Sequence, residues 1–160
     1  MNRNKLEKIL EKHTQWLQSE KRSGKQADLS RQDLRDENLS GADLSEANLS
    51  SATLCKADLS NAKMNNIKAD FPINFSGANL KNSDLSNTNL QRCNFINVDL
   101  SGADLSHSNL NFAEIDGANL SDAILDGADM RHIVGLSDAQ VQSTASMEDT
   151  KLPPRMADKE

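Results

Sequence analysis

Ala42-Asp43-Leu44-Ser45-Glu46-Ala47-Asn48-Leu49-Ser50-Ser51 states one five-residue pattern twice. A small residue comes first, then Asp or Asn, then Leu, then two residues of turn-forming type. Followed outward, the apolar centre recurs at Leu29, Leu34, Leu39, Leu44, Leu49, Leu54, Leu59 and Met64. After an interruption it resumes at Phe75, Leu80, Leu85, Leu90, Phe95, Leu100, Leu105, Leu110, Ile115, Leu120, Leu125 and Met130. Of these twenty centres fifteen are Leu, and twelve of the residues two positions earlier are Ala. So regular an internal repeat decides the architecture before any local propensity does.

A period of five fits neither a helix stripe nor a free alternating strand. Within one unit, however, the small residue and the centre are two apart, so a short extended segment turns both to one side. The Asp or Asn between them points outward, where a charge stays solvated. The two following residues are drawn from Ser, Gly, Asn and Asp, the types that turn a chain. One extended side followed by one corner, repeated, winds the chain into a coil with Leu and Ala inside. That predicts an all-β solenoid whose bore is too narrow for many aromatic rings.

These runs, together with Ala118-Asn119-Leu120-Ser121-Asp122, resemble the A(D/N)LXX motif of the pentapeptide-repeat family, and the resemblance covers residues 25–134. It implies a right-handed quadrilateral β-helix with four units per coil, hence about five coils. At the ~4.8 Å spacing of paired strands such a shaft is about 25 Å long. Stacking at 20 residues then places Phe75 and Phe95 one above the other, with Ile115 continuing the column, and Asp84 against Asp104 on one outer face.

Composition agrees with a thin core. Leu, Ile, Val and Phe number 34 of 160 residues, there are five aromatics and no Tyr, and the net charge is −6. For an ordinary globular domain that composition borders on disorder. A sequence pI near 5.1 argues against direct nucleic-acid binding, and the shortage of rings argues against a base-stacking platform. No stretch has the length of a membrane span, and residues 1–8 lead into a charged amphipathic stretch rather than a signal peptide. Cys55 and Cys93 form no paired motif. These readings predict a soluble, reduced, cytoplasmic protein. Residues 1–24 carry +3, residues 25–134 carry −7 and residues 135–160 carry −2, which divides the chain into a body and two appendages.

The interruption within 65–74 adds one residue, and 67–72 read as a six-residue side. A bulge that tolerates Pro72 is the first reading; a partner-touching loop, as in gyrase-protecting members of the family, is the second. Gln32 and Glu37 stand at small-residue positions, where an unpaired polar side chain costs a few kcal/mol, so the first coil should be open and covered. Leu6, Ile9, Leu10, His13 and Leu17 predict a helix over 3–21 whose stripe lies across that coil with His13 at its edge, dimerisation being the rival role. Gly24 suits the helix exit. Beyond the repeats, Ser137 can cap a helix over 138–146. Residues 150–154 read as extended and 155–160 as disordered.

No catalytic, cofactor or metal site emerges. His13, His107 and His132 share no ligand or catalytic spacing, phosphate-loop motifs are missing, and one outward Asp per side makes no calcium cage. The repeat itself generates the Asn-X-Ser sequons. Cys93 reads as a small core residue and Cys55 as outward. The sequence thus predicts a non-enzymatic interaction or scaffold module with a protein partner, as monomer or weak dimer. Asp84, Asp104, Ile96 and Phe112 are its candidate contact surface. The alternative implied by the family is an acidic DNA mimic that binds a type II topoisomerase. Against it, the tail is polar and the outward acids scatter.

Overall fold

Each unit folds alike because of its corner. In nineteen of the twenty units the second residue after the centre is left-handed, φ +55° to +68° from Arg31 to Gly127. The next N–H donates back to the centre's carbonyl, as from Ala42 to Leu39 at 3.0 Å and from Ala47 to Leu44 at 2.9 Å. That is the arrangement of a type II turn. The computed structural model describes residues 1–157, and these corners set its course from Leu29 to Ile133.

Extended sides of successive coils pair in parallel. The centre N–H donates to the coil ahead, Leu44 to the Lys63 carbonyl at 2.8 Å, and Lys63 N–H returns to the Ala42 carbonyl at 2.9 Å. Four ladders result, one per face of a four-sided coil. Face 1 runs Asp28, Asn48, Lys68, then Asn89, Asn109 and Asp129. Face 2 runs Asp33, Thr53, Asn74, Asn94, Glu114 and Val134, and face 3 runs Asn38, Asp58, Asn79, Asp99 and Asn119. Face 4 runs Asp43, Lys63, Asp84, Asp104, Ile124 and Ser146. All twenty centres are inside, none more than 3% exposed. The Phe75 and Phe95 rings stack at 5.0 Å and 12°.

The irregular unit is a bulge within one corner. Lys68 still pairs with Asn48 and Asn74 with Thr53, so the extra residue lies between them. Ile67 and Ile73 are buried on either side while Phe71 and Pro72 are exposed. Ala69 takes the centre position and Ile67 the small one, a reversal of the usual order. Ser50 Oγ accepts from Asp70 N–H at 3.1 Å and steadies the detour. Among the described residues no bridge joins Lys68 to Asn89.

Helix α1 (Arg3–Gln18) starts at Asn2, whose side chain accepts from Lys5 N–H. It ends at Gln18 rather than 21, because Glu20 and Lys21 turn left-handed (φ +52° and +69°) to bring the chain back. It lies across the first coil and takes up groups that a further coil would use. The N-terminal ammonium donates to the Asp33 carbonyl at 3.2 Å and Arg3 to the Asn38 carbonyl at 3.3 Å. Arg3 also pairs with Glu37 at 3.0 Å, and Gln32 donates to the Ser30 carbonyl at 3.3 Å, so neither polar intruder is unpartnered.

His13 is at the centre of this contact, not its edge. It is fully buried, and its Nδ1 accepts from Ala27 N–H at 3.1 Å. Ala27 has no preceding centre to supply a turn carbonyl, so the imidazole substitutes for one. The proton therefore sits on Nε2, which faces the Ser45 backbone without closing a hydrogen bond to any described residue. Burial pushes the His13 pKa below 6.5, outweighing the Ser45 backbone, Asp43 and Glu46, which favour the charged ring. A base with a depressed folded pKa stabilises above its unfolded pKa and loses that contribution as pH falls. Acidification from neutrality through the range below 6.5 should loosen α1 first. Trp16, stacked on His13 at 5.6 Å, should report it by fluorescence while the shaft's circular dichroism holds; a flat signal down to pH about 4.5 would refute it.

At the other end, helix α2 (Asp138–Gln142) is capped by Ser137 with Gln140 in a capping box. It stops at Gln142, short of 146, because the chain rejoins the ladder. Ala145-Ser146-Met147-Glu148-Asp149 and Thr150-Lys151-Leu152-Pro153-Pro154 are two further units in the five-residue frame. Ser146 pairs with Ile124 and Lys151 with Asp129, Asp149 is left-handed at φ +55°, and Thr150 N–H closes on the Met147 carbonyl at 3.2 Å. Above face 3, where α2 replaces a strand, the Gln140 amide donates to the Ile115 and Ala118 carbonyls. The disorder expected over 155–160 is corrected for its first part. Helix α3 (Pro154–Ala157) forms because Met156 has apolar surface to bury and Arg155 donates to the Leu136 carbonyl. Residues 158–160 lie outside the described residues.

Candidate functional site

What the shaft offers outward is set by its hydrogen bonds. Sixteen units carry Asp or Asn before the centre, and in all sixteen the side-chain Oδ1 accepts the N–H two residues on. This Asx turn fixes the corner's entry. The residue is retained for its acceptor, not only because charge is tolerated outside. Asn94, whose Oδ1 accepts from Ile96 N–H at 2.9 Å, tests the point. Asn94→Ala should cost about 1 kcal/mol in urea denaturation and Asn94→Asp close to nothing at neutral pH; equal losses would mean that the acceptor is irrelevant.

Several of the carboxylates in these turns are held acidic. Bonds from Ser30 and Ser60 lower the Asp28 and Asp58 pKa values. Burial pushes Asp84 and Asp99 up, but hydrogen bonds from Ser86 and Ser101, with Asn65 and Asn119, outweigh it. The bidentate Arg131 pair, 3.0 and 2.7 Å, holds Asp129 far below the ordinary range. Depressed carboxylates stabilise above their unfolded pKa near 3.8, and that contribution is lost only as pH falls below it.

Stacked acids are also interleaved. Asn48 donates to Asp28 at 3.1 Å, Asn79 to Asp58 at 3.1 Å and Asn119 to Asp99 at 3.2 Å. An amide thus separates carboxylates along faces 1 and 3, and Lys63 stands between Asp43 and Asp84 on face 4. Asp84 and Asp104 do sit one coil apart on face 4. Ile96 and Phe112 are not with them. They lie at the two corners bounding face 2, on the opposite side of the coil. The four candidate contact residues therefore form no single surface. Ile96 is half-buried, whereas Phe112 is 50% exposed.

Phe112 has company that the sequence reading missed. His132 stacks on one side of its ring, 5.0 Å and 11°, and the Arg92 guanidinium lies 5.7 Å from the ring centroid. Arg92, Phe112 and His132 are 20 residues apart in turn, a signal available from the period once corner positions are aligned by coil.

Reactive groups are dispersed. Burial pushes the Cys93 thiol up to about 11, and its Sγ accepts from Ile73 N–H at 3.3 Å, so it acts as core. Cys55 is half-buried and unbonded to another cysteine. Among the described residues no three His, Cys, Asp or Glu side chains converge as a metal site, and no helix is long and apolar enough to cross a membrane.

The family model for pentapeptide repeats matches residues 25–66, 73–111 and 103–133, in eight copies. No curated protein matches the sequence. Among solved structures, the chain is similar to Rfr23, a pentapeptide repeat protein from the cyanobacterium Cyanothece 51142, at 26% identity over 79% of this chain and 84% of that one, TM-score 0.32. It is similar to alr5209 from Nostoc Pcc 7120 at 26% identity over 90% and 92%, TM-score 0.34. A plasmid-mediated fluoroquinolone resistance protein, QnrB1, is 17% identical over 86% and 72%, TM-score 0.36.

Proposed function

Because the chain belongs to the pentapeptide-repeat family, we propose that it is a non-catalytic module, right-handed in its winding, that holds a protein partner along its outer surface. The observation that carries this reading is the closed ladder. Two side chains in five are inward, a third is committed to the Asx turn, and the residues free to vary are the pairs at the corners. Such a rod has rigid, repeated corner edges, and among the described residues no three His, Cys, Asp or Glu side chains converge. Solenoids bind through surfaces of this kind. We place α1 and the tail as caps that deny the end coils to edge-to-edge pairing.

DNA mimicry is the weaker reading, since duplex phosphates form unbroken rows and here Asn and Lys interrupt the carboxylates. Proximity cross-linking of the full chain in cells that express it should enrich a specific protein, and gyrase supercoiling should be unaffected by an equimolar amount. Inhibition of gyrase, or quinolone protection, would replace the module reading with mimicry. Turnover of a small molecule would overturn both.

A further inference from the structure

The corner between faces 1 and 2 exposes different chemistry from the other three. Its left-handed position is held by Arg31, Ser51, Arg92 and Phe112. Phe71 stands at the same corner in the bulged unit, its carbonyl accepting from Ser51 N–H at 3.2 Å, and His132 follows Phe112, accepting its N–H at 3.1 Å. Phe71 is 57% exposed. Phe112 is a bulky residue at φ +62°, a conformation that Gly or Asn would adopt at less cost. Strain kept at an exposed aromatic points to use rather than to packing.

The electrostatics of this edge run against the rest of the rod. Both faces of the Phe112 ring are covered, by His132 and by Arg92, so its exposed part is its edge, which carries partial positive charge. Arg92 has no carboxylate partner among the described residues. The result is an apolar, electropositive seam on a body of net charge −7. We propose that the corner of Phe71, Arg92, Phe112 and His132 docks an acidic, apolar-containing segment of a partner protein. Carboxylates meet Arg92 and His132, and apolar side chains lie against the two phenylalanines. A single-stranded nucleic acid fits worse. Stacking needs a free ring face at Phe112, and the acidic body repels phosphates.

The proposal rests on the reading of the protein as an interaction module and can fail without it. The full chain is titrated into a labelled short peptide of alternating Glu, Phe, Asp and Leu, with a dT oligonucleotide in parallel. Peptide binding is expected below about 100 µM, weakening as salt rises from about 0.05 to about 0.5 M. Arg92→Glu should weaken it at least about tenfold and Phe112→Gly, which relieves the corner and so keeps the fold, at least about fivefold. Absence of binding, equal binding by both variants, or tighter binding of the oligonucleotide would overturn the proposal. So would self-association abolished by Arg92→Glu, which would make a second copy the occupant. A cross-linked partner retained in full by both variants would sink the seam and leave the module reading standing.

Discussion

Replacing Phe75 by alanine is expected to destabilise the shaft by about 3–5 kcal/mol, the range for emptying a buried aromatic site that cannot collapse. Phe75 is fully buried and stacked on Phe95 at 5.0 Å. Its column is Leu34, Leu54, Phe75, Phe95 and Ile115, one inward centre per coil. Collapse is resisted from both sides, because Thr53, Asn74 and Asn94 are bridged in sequence along face 2. Backbone hydrogen bonds thus hold the wall at a fixed distance from the void. Phe75→Leu is the control, since Leu fills this column one coil earlier, and it should cost only about 1 kcal/mol. Urea unfolding followed by circular dichroism measures both. An alanine variant within about 1 kcal/mol of the parent would show that the coil closes on the gap after all.

The period made the twenty inward centres legible, because a five-residue frame leaves the backbone only one way to bury Leu and Ala together, whereas the four ladders and the Phe75–Phe95 stack followed from the 20-residue coil that the family resemblance implies. Three things escaped it. The Asp and Asn were visible in the motif, but solvation alone explains an outward acid, and the Asx acceptor role depends on a corner geometry that the motif does not display. His13 looked like a stripe edge because the sequence does not display that Ala27 N–H lacks a turn carbonyl. The two final units were hidden by Ser146 and Lys151 at the Asp/Asn position and by Thr150 at the Ala position. Their frame, Met147 and Leu152 five apart, was nonetheless present. The contact surface was least legible. Ile96 and Phe112 both read as outward, yet one coil separates corners by face, and only alignment at 20 residues puts Phe112 with Arg92 and His132 rather than with Ile96.

Gly24→Ala is expected to free α1 from the first coil and cost about 3 kcal/mol. Gly24 has φ +78°, and a Cβ there would stand 2.4 Å from the Lys12 carbonyl oxygen and 2.6 Å from the Trp16 nitrogen. Both are backbone atoms inside a helix, so neither can move aside as a side-chain tip would. The close approach is what lets Lys25 N–H reach the Lys12 carbonyl at 3.0 Å and Ala27 N–H reach His13. Once it is lost, Leu6 and His13 are uncovered and the Asp33 and Asn38 carbonyls become a free edge. The variant at neutral pH should therefore show the Trp16 fluorescence of the parent in acid, cleavage by protease between 19 and 26, and association that grows with concentration. Gly41→Ala separates the causes. It has φ +66° with nothing within 4 Å of an added Cβ, so it should cost only the left-handed penalty of about 1 kcal/mol. Equal losses in the two variants would assign the whole effect to backbone conformation and remove the helix contact from the explanation.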